Sequence, residues 1–210
     1  RIFIYSFSMV FTIISIFEIQ YLSQNIISSI ILIISAVWFL NLYNFMDNCD
    51  LNISINFVFF SLSIFIFHYL NIYTFDLQSL LFIGTFLSGV IVFSFYNFPP
   101  AKIFMGDSGS ITLGFICIWF SLIVISDGNY YILIIFSPYI LDATFTLLKR
   151  LFLRKNILMA HKEHINQLFI INNDILSYLK KNLLIHFSLI ILMTTLAYNE
   201  ISVIYSFVSV

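Results

Sequence analysis

The stretch NLYNFMDNCD, residues 41–50, carries polar side chains at a spacing that could do chemistry. Asn44, Asp47 and Asp50 recur every third residue, and on a helix end that spacing aligns them along one face. Two carboxylates and an amide on one face form an oxygen-rich surface that suits a hard cation such as magnesium. A solvated helix cap, with one of the acids near the terminus, is an equally good interpretation of this stretch alone.

A second polar stretch, FPPAKIFMGDSGS at residues 98–110, separates two long apolar runs. Its two prolines end the preceding helix, because proline lacks the amide donor and restricts the residue before it. Asp107 then precedes a helix that we expect to begin near Ser110, where backbone amides and the helix dipole favour anions. The alternative is that Asp107 or Ser108 only caps that helix. The aromatic Phe104 and the flanking glycines favour a ligand site, since glycine lets a ligand approach the main chain closely.

A third polar stretch, AHKEHINQ at residues 160–167, lies within the longest predicted loop, residues 149–182. His161 and His164 could bind a metal, but a soft-metal site normally needs three or four ligands. A contact with phosphate or nucleotide fits the basic surroundings better. A pair of exposed loop histidines is the alternative, and it would be preferred if this motif stood alone.

The composition of the chain indicates that lipid is its main solvent. Of the 210 residues, 61% are apolar and 9% are charged, whereas a soluble domain carries about 25% charged residues. A spanning helix needs ~17–25 apolar residues, and a segment in hydrocarbon must satisfy its own backbone. The sequence therefore predicts an all-α, polytopic membrane helix bundle with about seven spanning helices plus the start of an eighth, forming one integral-membrane domain over residues 1–210. The apolar runs cover roughly residues 2–17, 26–43, 53–70, 80–97, 110–126, 130–148 and 183–198, and the last begins at Ile201.

The charges predict an orientation if each helix crosses the membrane once. All basic residues then fall on one side: Arg1, Lys102, Lys149, Arg150, Arg154, Lys155, Lys162, Lys180 and Lys181. The loops on the other side contain no lysine or arginine, and their acids are Glu18, Asp76, Asp127 and Glu200. The positive-inside rule makes the basic side cytoplasmic, so the three polar stretches should face the cytoplasm. A reducing setting there argues against a disulfide between Cys49 and Cys117.

The three polar stretches, in this order on one membrane face, resemble the polyprenyl-phosphate N-acetylhexosamine-1-phosphate transferases of glycosyltransferase family 4. The branch that initiates O-antigen and related glycans is the most similar. NLYNFMDNCD resembles its Asn-Phe-Met-Asp-Gly-x-Asp-Gly signature, and NFPPAKIFMGDSGS is similar to its loop almost residue for residue. DATFTLLKR followed by AHKEHINQ resembles its Asp-Ala-Thr helix and His-x-x-His segment. The resemblance runs from about residue 1 to residue 198.

The resemblance implies a reaction at the cytoplasmic face of a bacterial inner (plasma) membrane. The family transfers a sugar 1-phosphate from a UDP-N-acetylhexosamine-type donor to undecaprenyl (polyprenyl) phosphate, releases UMP and requires Mg²⁺. Such a reaction would initiate a surface glycan, in lipopolysaccharide or cell-wall biogenesis. The partners it implies are the UDP-sugar, the polyprenyl phosphate and the lipid bilayer, with no nucleic acid and with a homodimer left open.

The resemblance also implies roles for particular residues. The implied metal ligands are Asp107 and Asn44. The implied catalytic acids, which help to position substrate or metal, are Asp47 and Asp50. The implied substrate-binding residues are Asn97, Lys102, Phe104, His161 and His164, with Phe104 stacking on uracil and the histidines contacting the nucleotide sugar or its phosphates.

This sequence departs from the family pattern in two ways. Asn48 and Leu51 stand where family members usually have glycine. Asparagine tolerates a positive backbone angle, but leucine does so poorly. The family also carries an aspartate pair in a cytoplasmic loop upstream of the helix that begins here, and the 210 residues contain no adjacent aspartates. We therefore expect that the chain is N-terminally truncated and inactive alone, or that it is an inactive remnant of such an enzyme.

Asp142 is the one acidic residue that lies within an apolar run. A charge at membrane depth costs about 2.5–3.5 kcal/mol on insertion scales, so its side chain should face the bundle interior. There it would pair with a cytoplasmic lysine, line the polyprenyl-phosphate path, or make a helix-packing contact. A transporter or channel is the alternative class, with Asp142, Asp47, Asp50 and Asp107 lining an ion path. Against a transporter, the acids cluster at one face and the outward helix halves are almost purely apolar.

Overall fold

The computed structural model describes residues 2–17, 26–154 and 163–208, and the side chains of residues 7–17, 26–154 and 163–200. That part of the chain is helical and contains no strand, which confirms the predicted all-α class. Its elements in chain order are α1 Ile2–Ile16, α2 Ile26–Phe45, α3 Asn52–Tyr69, α4 Leu77–Asn97, α5 Gly106–Ser126, a 3₁₀ segment Tyr130–Phe136, α6 Ser137–Phe152, α7 Ile165–Asn172 and α8 Ile175–Val208.

Six helical segments in the described ranges are long and apolar enough to cross a membrane. They are α2, α3, α4, α5, the 3₁₀ segment continued by α6, and α8. α1 is apolar but has only 15 residues, about 22 Å at 1.5 Å per residue, which is less than the ~30 Å hydrocarbon layer. The chain is therefore a polytopic membrane protein, as the apolar runs predict.

The end of the chain differs from the prediction. We expected a span at residues 183–198 followed by a separate eighth helix from Ile201, but α8 runs without interruption from Ile175 to Val208. No glycine or proline occurs between these two residues, and Glu200 is a good helix former. The polar residues Asn199 and Glu200, which lie between the two apolar runs, are therefore not enough to end the helix.

Residues next to the helix starts explain why α4 and α6 begin where they do. Asp76 precedes α4 and accepts hydrogen bonds from the backbone amides of Gln78 and Ser79, which otherwise have no intrahelical partner. Pro138 occupies the first turn of α6, where the missing amide is not needed.

The core forms where α2 packs on α5 and where α3 packs on α4 and α8. Its centre is an aromatic cluster that includes Phe39, Tyr43, Phe136 and Tyr139, and the ring centroids of Phe39 and Phe136 are 4.8 Å apart at 77°. α5 approaches α2 closely at Gly114, where an added Cβ would lie 3.1 Å from the Tyr43 side chain. Close packing of this kind is the main source of helix association in lipid, where burial of apolar surface gains little.

A chain of buried polar side chains joins α3 to α8. The His186 Nδ1 proton is donated to the Asn182 carbonyl oxygen (2.9 Å), so Nε2 accepts from the Asn56 side chain (3.0 Å). Closer to the loops, the Asn52 side-chain oxygen accepts hydrogen bonds from Tyr178 (2.8 Å) and Asn182 (3.1 Å). These contacts fix the start of α8 beside the loop that precedes α3.

Candidate functional site

A cavity of about 300 Å³ lies where the end of α2, the end of α4 and the start of α5 meet. Six of its lining residues are predicted site residues that lie in the first two polar stretches or, for Asn97, directly before the second: Asn44, Asp47, Asp50, Asn97, Phe104 and Asp107. The other lining residues are Asn48, Cys49 and Gly106. The fold therefore brings two separate segments of the sequence into one polar site.

Asn44 and the two acids reach the cavity in a different way from the one expected. α2 ends at Phe45, so Asn44 is on its last turn while Asp47 and Asp50 lie in the following loop rather than on one helix face. The loop turns tightly, since the Asp47 amide donates to the Asn44 carbonyl oxygen (3.2 Å). The Ser110 hydroxyl donates to the Asn44 side-chain oxygen (2.7 Å), with the Gly106 carbonyl oxygen also within reach (3.1 Å). Ser110 thus orients Asn44 from the first turns of α5.

Asp47 is partly buried in the cavity wall. The pKa of Asp47 is raised to about 6, chiefly by burial; a hydrogen bond from the Gly106 backbone amide lowers it, and the negative charge of Asp107 raises it. Gly106 has φ 65°, in the left-handed region that favours glycine. This conformation points to a reason for a glycine directly before Asp107.

Asp107 lies in the first turn of α5, which begins at Gly106 and not near Ser110 as expected. The N-cap residue is Met105, whose side chain makes no capping hydrogen bond, so neither Asp107 nor Ser108 is the N-cap. A carboxylate in the first turn is still stabilised by the helix dipole. Hydropathy placed the start of the helix too late, because it counts polar residues of a first turn as loop.

Asp50 and Asn97 connect the acidic loop, residues 46–51, to the proline-containing loop, residues 98–105. Asp50 accepts a hydrogen bond from the Ala101 amide (3.2 Å). Asn97 is buried, its side-chain oxygen accepts from the Leu51 amide (2.7 Å), and its side-chain nitrogen donates to the Ile103 carbonyl oxygen (2.8 Å). Asn97 thus helps to shape the cavity, and its contact with substrate stays a prediction.

Leu51 and Asn48, which stand where the family usually has glycine, have different backbone conformations. Leu51 has φ 62°, a left-handed conformation that costs an L-residue about 1–2 kcal/mol. Asn48 is not among the described residues with positive φ, and its side chain instead forms a reciprocal amide pair with Asn166, at 2.6 and 3.3 Å. The sequence pattern identified the strained position at Leu51 but not the long-range partner of Asn48.

Phe104 and Lys102 lie on the outer part of the proline-containing loop. The Phe104 side chain is 73% exposed and stands at the edge of the cavity. The exposed Lys102 is not part of the cavity lining. Both substrate-binding roles stay predictions.

The described part of the third polar stretch, residues 163–167, lies beside the cavity rather than in its lining. His161 is outside the described residues. His164 is buried, and its Nδ1 is 3.2 Å from Asp142 Oδ1. Asp142 is buried, as expected for an acid in a spanning helix, but its partner is this histidine and not a lysine. The stretch reaches the acidic loop through Asn166, which sequence reasoning missed because only the tertiary structure pairs two distant asparagines.

The chemistry of the cavity suits a cation that is shared with a phosphate. Its lining contains three carboxylates and two primary-amide side chains that were predicted as site residues, and none of the described lining residues is basic. Within the described ranges, no three His, Cys, Asp or Glu side chains are grouped closely enough to hold a metal ion by themselves. Mg²⁺ is usually bound by one or two carboxylates together with water and substrate phosphates. The donor set therefore fits a magnesium ion that binds with a phosphorylated ligand, and it does not fit a site built from protein alone.

Comparison with known proteins gives an independent assignment. A segment of this chain is 37% identical over 89 residues to a Bacillus subtilis (strain 168) protein named probable undecaprenyl-phosphate N-acetylglucosaminyl 1-phosphate transferase, covering 38% of this chain and 24% of that protein. It is 36% identical over 83 residues to a Thermobifida fusca (strain YX) phospho-N-acetylmuramoyl-pentapeptide-transferase, covering 37% and 24%. The chain thus matches about a quarter of the length of these two relatives. A family model described as glycosyl transferase family 4 matches residues 1–125, more than half of the sequence. The chain belongs to glycosyl transferase family 4.

Proposed function

We propose that this protein acts in the transfer of a sugar 1-phosphate from a UDP-N-acetylhexosamine-type donor to polyprenyl phosphate, at the cytoplasmic face of a bacterial plasma membrane. The observation that carries the proposal is the acidic cavity at one end of a membrane-spanning bundle, formed by Asp47, Asp50 and Asp107. The names of two relatives, each a phospho-sugar transferase, support the same class of reaction.

In the proposed reaction, a phosphate oxygen of the polyprenyl phosphate attacks the phosphorus that carries the sugar. A new phosphorus–oxygen bond forms, the bond to the bridging oxygen breaks, and UMP leaves with that oxygen. Because both substrates are anionic, Mg²⁺ would supply the charge that offsets their repulsion and stabilises the leaving UMP. Asp107 and Asn44 would hold the ion, since both line the cavity and Ser110 orients the Asn44 oxygen.

The remaining side chains would position the substrates. Asp47 and Asp50 lie in the loop between α2 and α3, where they would orient the phosphates and their metal. Phe104 presents an exposed ring at the cavity edge, which is suited to stacking on uracil. His161 and His164 would contact the nucleotide sugar or its phosphates.

The arrangement gives no support to an ion path. Such a path needs ionisable groups through the depth of the bundle. Asp47, Asp50 and Asp107 instead line one cavity at the end of the bundle, and Asp142 lies at the same end, beside the loop that Asn166 connects to Asn48.

The proposal is tested by an exchange assay with the full-length protein in liposomes that contain polyprenyl phosphate. We expect radiolabelled UMP to be incorporated into one member of a panel of UDP-sugars, and only when both the lipid phosphate and Mg²⁺ are present. That member identifies the sugar, and an O-antigen-type role predicts an N-acetylhexosamine. Exchange that does not require polyprenyl phosphate would argue against this acceptor, and no exchange with any UDP-sugar would overturn the proposal.

A further inference from the structure

We propose that Asp142 is a positioning residue, which holds the loop of His164 against the acidic loop of the cavity through the reciprocal amide pair of Asn166 and Asn48. The inference rests on the proposed function only for the identity of the substrates. The contacts themselves concern α6, α7 and the loop after α2, and they can be tested without substrate.

The Asp142 carboxylate has several partners on one short segment. Its Oδ1 accepts from the Ile165 amide (3.0 Å) and lies 3.2 Å from His164 Nδ1, while its Oδ2 accepts from the Asn166 amide (3.3 Å). Within α6, Thr146 also donates to Oδ1 (3.2 Å). Asp142 therefore supplies the acceptor for the first amides of α7, from a neighbouring helix rather than from the residue before α7.

Burial makes these contacts specific. Asp142 and His164 are each 7% exposed, and Asn166 is 6% exposed. A buried carboxylate is costly unless it is paired and hydrogen-bonded, so loss of this geometry would leave a charge without compensation. The loop can therefore leave α6 only at a substantial energetic cost.

A second contact ties the same loop to α6. Arg150, two turns after Asp142, lies 3.3 Å from Glu163, and Arg150 is buried. In these two contacts, Asp142 of α6 faces His164, and Arg150 of α6 faces Glu163. This complementary arrangement of acidic and basic side chains fixes which residue of the loop faces which turn of the helix.

The amide pair transmits this position to the cavity. Asn166 Nδ2 donates to Asn48 Oδ1 (2.6 Å), and Asn48 Nδ2 donates to Asn166 Oδ1 (3.3 Å). Asn48 lines the cavity and follows Asp47 directly. A shift of the α7 start would therefore move the acidic loop, although Asp142 does not line that cavity.

Cys49 is a native reporter of this contact. Its sulfur is 3.8 Å from Asn166 Nδ2, it lines the cavity, and burial raises the pKa of its thiol to about 12. The second cysteine, Cys117, is fully buried in the core. Alkylation of Cys49 should therefore be slow while the loop is docked, and Cys117 reports on global unfolding.

The test measures alkylation of the two cysteines with iodoacetamide, by mass spectrometry, in the full-length protein in detergent. Asp142→Ala and Asn166→Ala should each raise the Cys49 rate about tenfold or more, since the first removes hydrogen bonds to a charged group and the second removes the amide pair that lies over Cys49. The Cys49 alkylation rate of the double variant should be close to that of the faster single variant, because the two residues act through one contact. Asp174→Asn is the matched control, since Asp174 accepts from the Ser177 amide at an exposed helix start and asparagine is a comparable cap.

The outcomes are distinguishable. An unchanged Cys49 rate in Asp142→Ala, with Cys117 protected, would overturn the proposal. If Asp142→Ala also exposes Cys117, the variant has unfolded, and Asn166→Ala decides: an unchanged Cys49 rate there overturns the amide connection.

Turnover supplies a second readout for the positioning role. In the exchange assay, Asp142→Asn should raise the KM for the UDP-sugar more than the KM for polyprenyl phosphate, because the shifted loop carries His164. Equal effects on both substrates, or no effect in an active protein, would overturn the positioning role. A silent exchange assay with the expected alkylation pattern would count against the proposed function and not against this contact.

Discussion

At the scale of single residues, Asp107 illustrates how one carboxylate could serve two purposes. A helix cap needs an acceptor for backbone amides, and a magnesium ligand needs a full negative charge. The structure places Met105 at the N-cap of α5 and Asp107 in the first turn, within the cavity lining. Asparagine and aspartate are comparable caps, but only aspartate carries the charge that retains a cation. Replacing one by the other therefore separates the two purposes.

We predict that Asp107→Asn abolishes turnover in the full-length protein and leaves expression and membrane insertion intact. Unit charges 4 Å apart interact by several kcal/mol at an effective dielectric near 20, and the substitution removes that attraction for Mg²⁺. Turnover is measured with the labelled UMP exchange at ordinary magnesium, with Asp174→Asn as the control. Near-normal exchange by Asp107→Asn would mean that the residue only supports the helix.

Asp47 predicts a pH dependence in the absence of metal. Its folded-state pKa is raised to about 6, so the protonated form is favoured in the folded protein. The ionised form is penalised by burial once the pH rises through that value. We expect Asp47→Asn in EDTA to be more stable than the wild type above pH 6 and equal to it below pH ~4, the ordinary pKa of an aspartate. Thermal unfolding followed by circular dichroism checks this, and a stability difference that does not change with pH would contradict it.

At the scale of helices, the contact between α2 and α5 depends on the absence of one side chain. Gly114 of α5 lies against the fully buried Tyr43 of α2, whose ring is enclosed by Phe136 and Tyr139. Because Tyr43 directly precedes Asn44, the same contact also sets the position of a cavity residue. Packing and site geometry are therefore coupled at this point.

We predict that Gly114→Ala destabilises the protein by about 1–3 kcal/mol, the usual cost of overfilling a packed interior. The added Cβ would lie 3.1 Å from the Tyr43 side chain, which is fully buried and would have to shift. Gly89→Ala in α4 is the matched control, since its Cβ would meet nothing within 4 Å and alanine is the better helix former. Thermal unfolding of both variants in detergent is the measurement. Equal stability of the two would show that the Tyr43 side chain can adjust.

The accuracy of the sequence-based prediction differed between the elements. Apolar runs located α2, α3, α4 and the end of α5 within a few residues, because length and hydropathy decide whether a segment spans lipid. They misplaced the start of α5 and divided α8, because hydropathy does not see that a polar residue can continue a helix.

In the candidate site, the sequence predicted which residues take part but not which distant residues they contact. The motifs identified six residues of one cavity, since each motif has its own polar composition. They did not reveal Ser110 as the partner of Asn44, or Asn166 as the partner of Asn48, because these contacts join residues that are far apart in the sequence. Asp142 was expected to be buried, but the sequence did not identify His164 as its partner.

At the scale of the whole molecule, three loops gather at one end of the bundle. The acidic loop contacts the proline-containing loop through Asp50 and Ala101, and through Asn48 it contacts Asn166 at the start of α7, just after the loop that contains His164. Such contacts require the loops to lie on the same side of the membrane. The basic residues then favour the cytoplasmic side for all three.

We predict that a cysteine placed at Ser108 is not modified by an impermeant thiol reagent added to intact cells. Ser108 is exposed on the start of α5, so lack of reaction would reflect its side of the membrane rather than burial. Asp127→Cys, exposed at the other end of the same helix, should react under the same conditions. Labelling at Ser108 with protection at Asp127 would reverse the orientation and remove the nucleotide from reach of the cavity.

The length of α8 has a consequence for depth in the membrane. Its 34 residues extend about 51 Å at 1.5 Å per residue, against a hydrocarbon thickness of about 30 Å. Tilt absorbs part of this mismatch, and the remainder projects into the headgroup layer. The two lysines at residues 180 and 181 mark the projecting end, and Tyr178 of the same end is bonded to Asn52, just after the acidic loop. The chemistry would then take place at the level of the lipid headgroups, so that a water-soluble nucleotide and a lipid-borne phosphate meet without either one leaving its own phase.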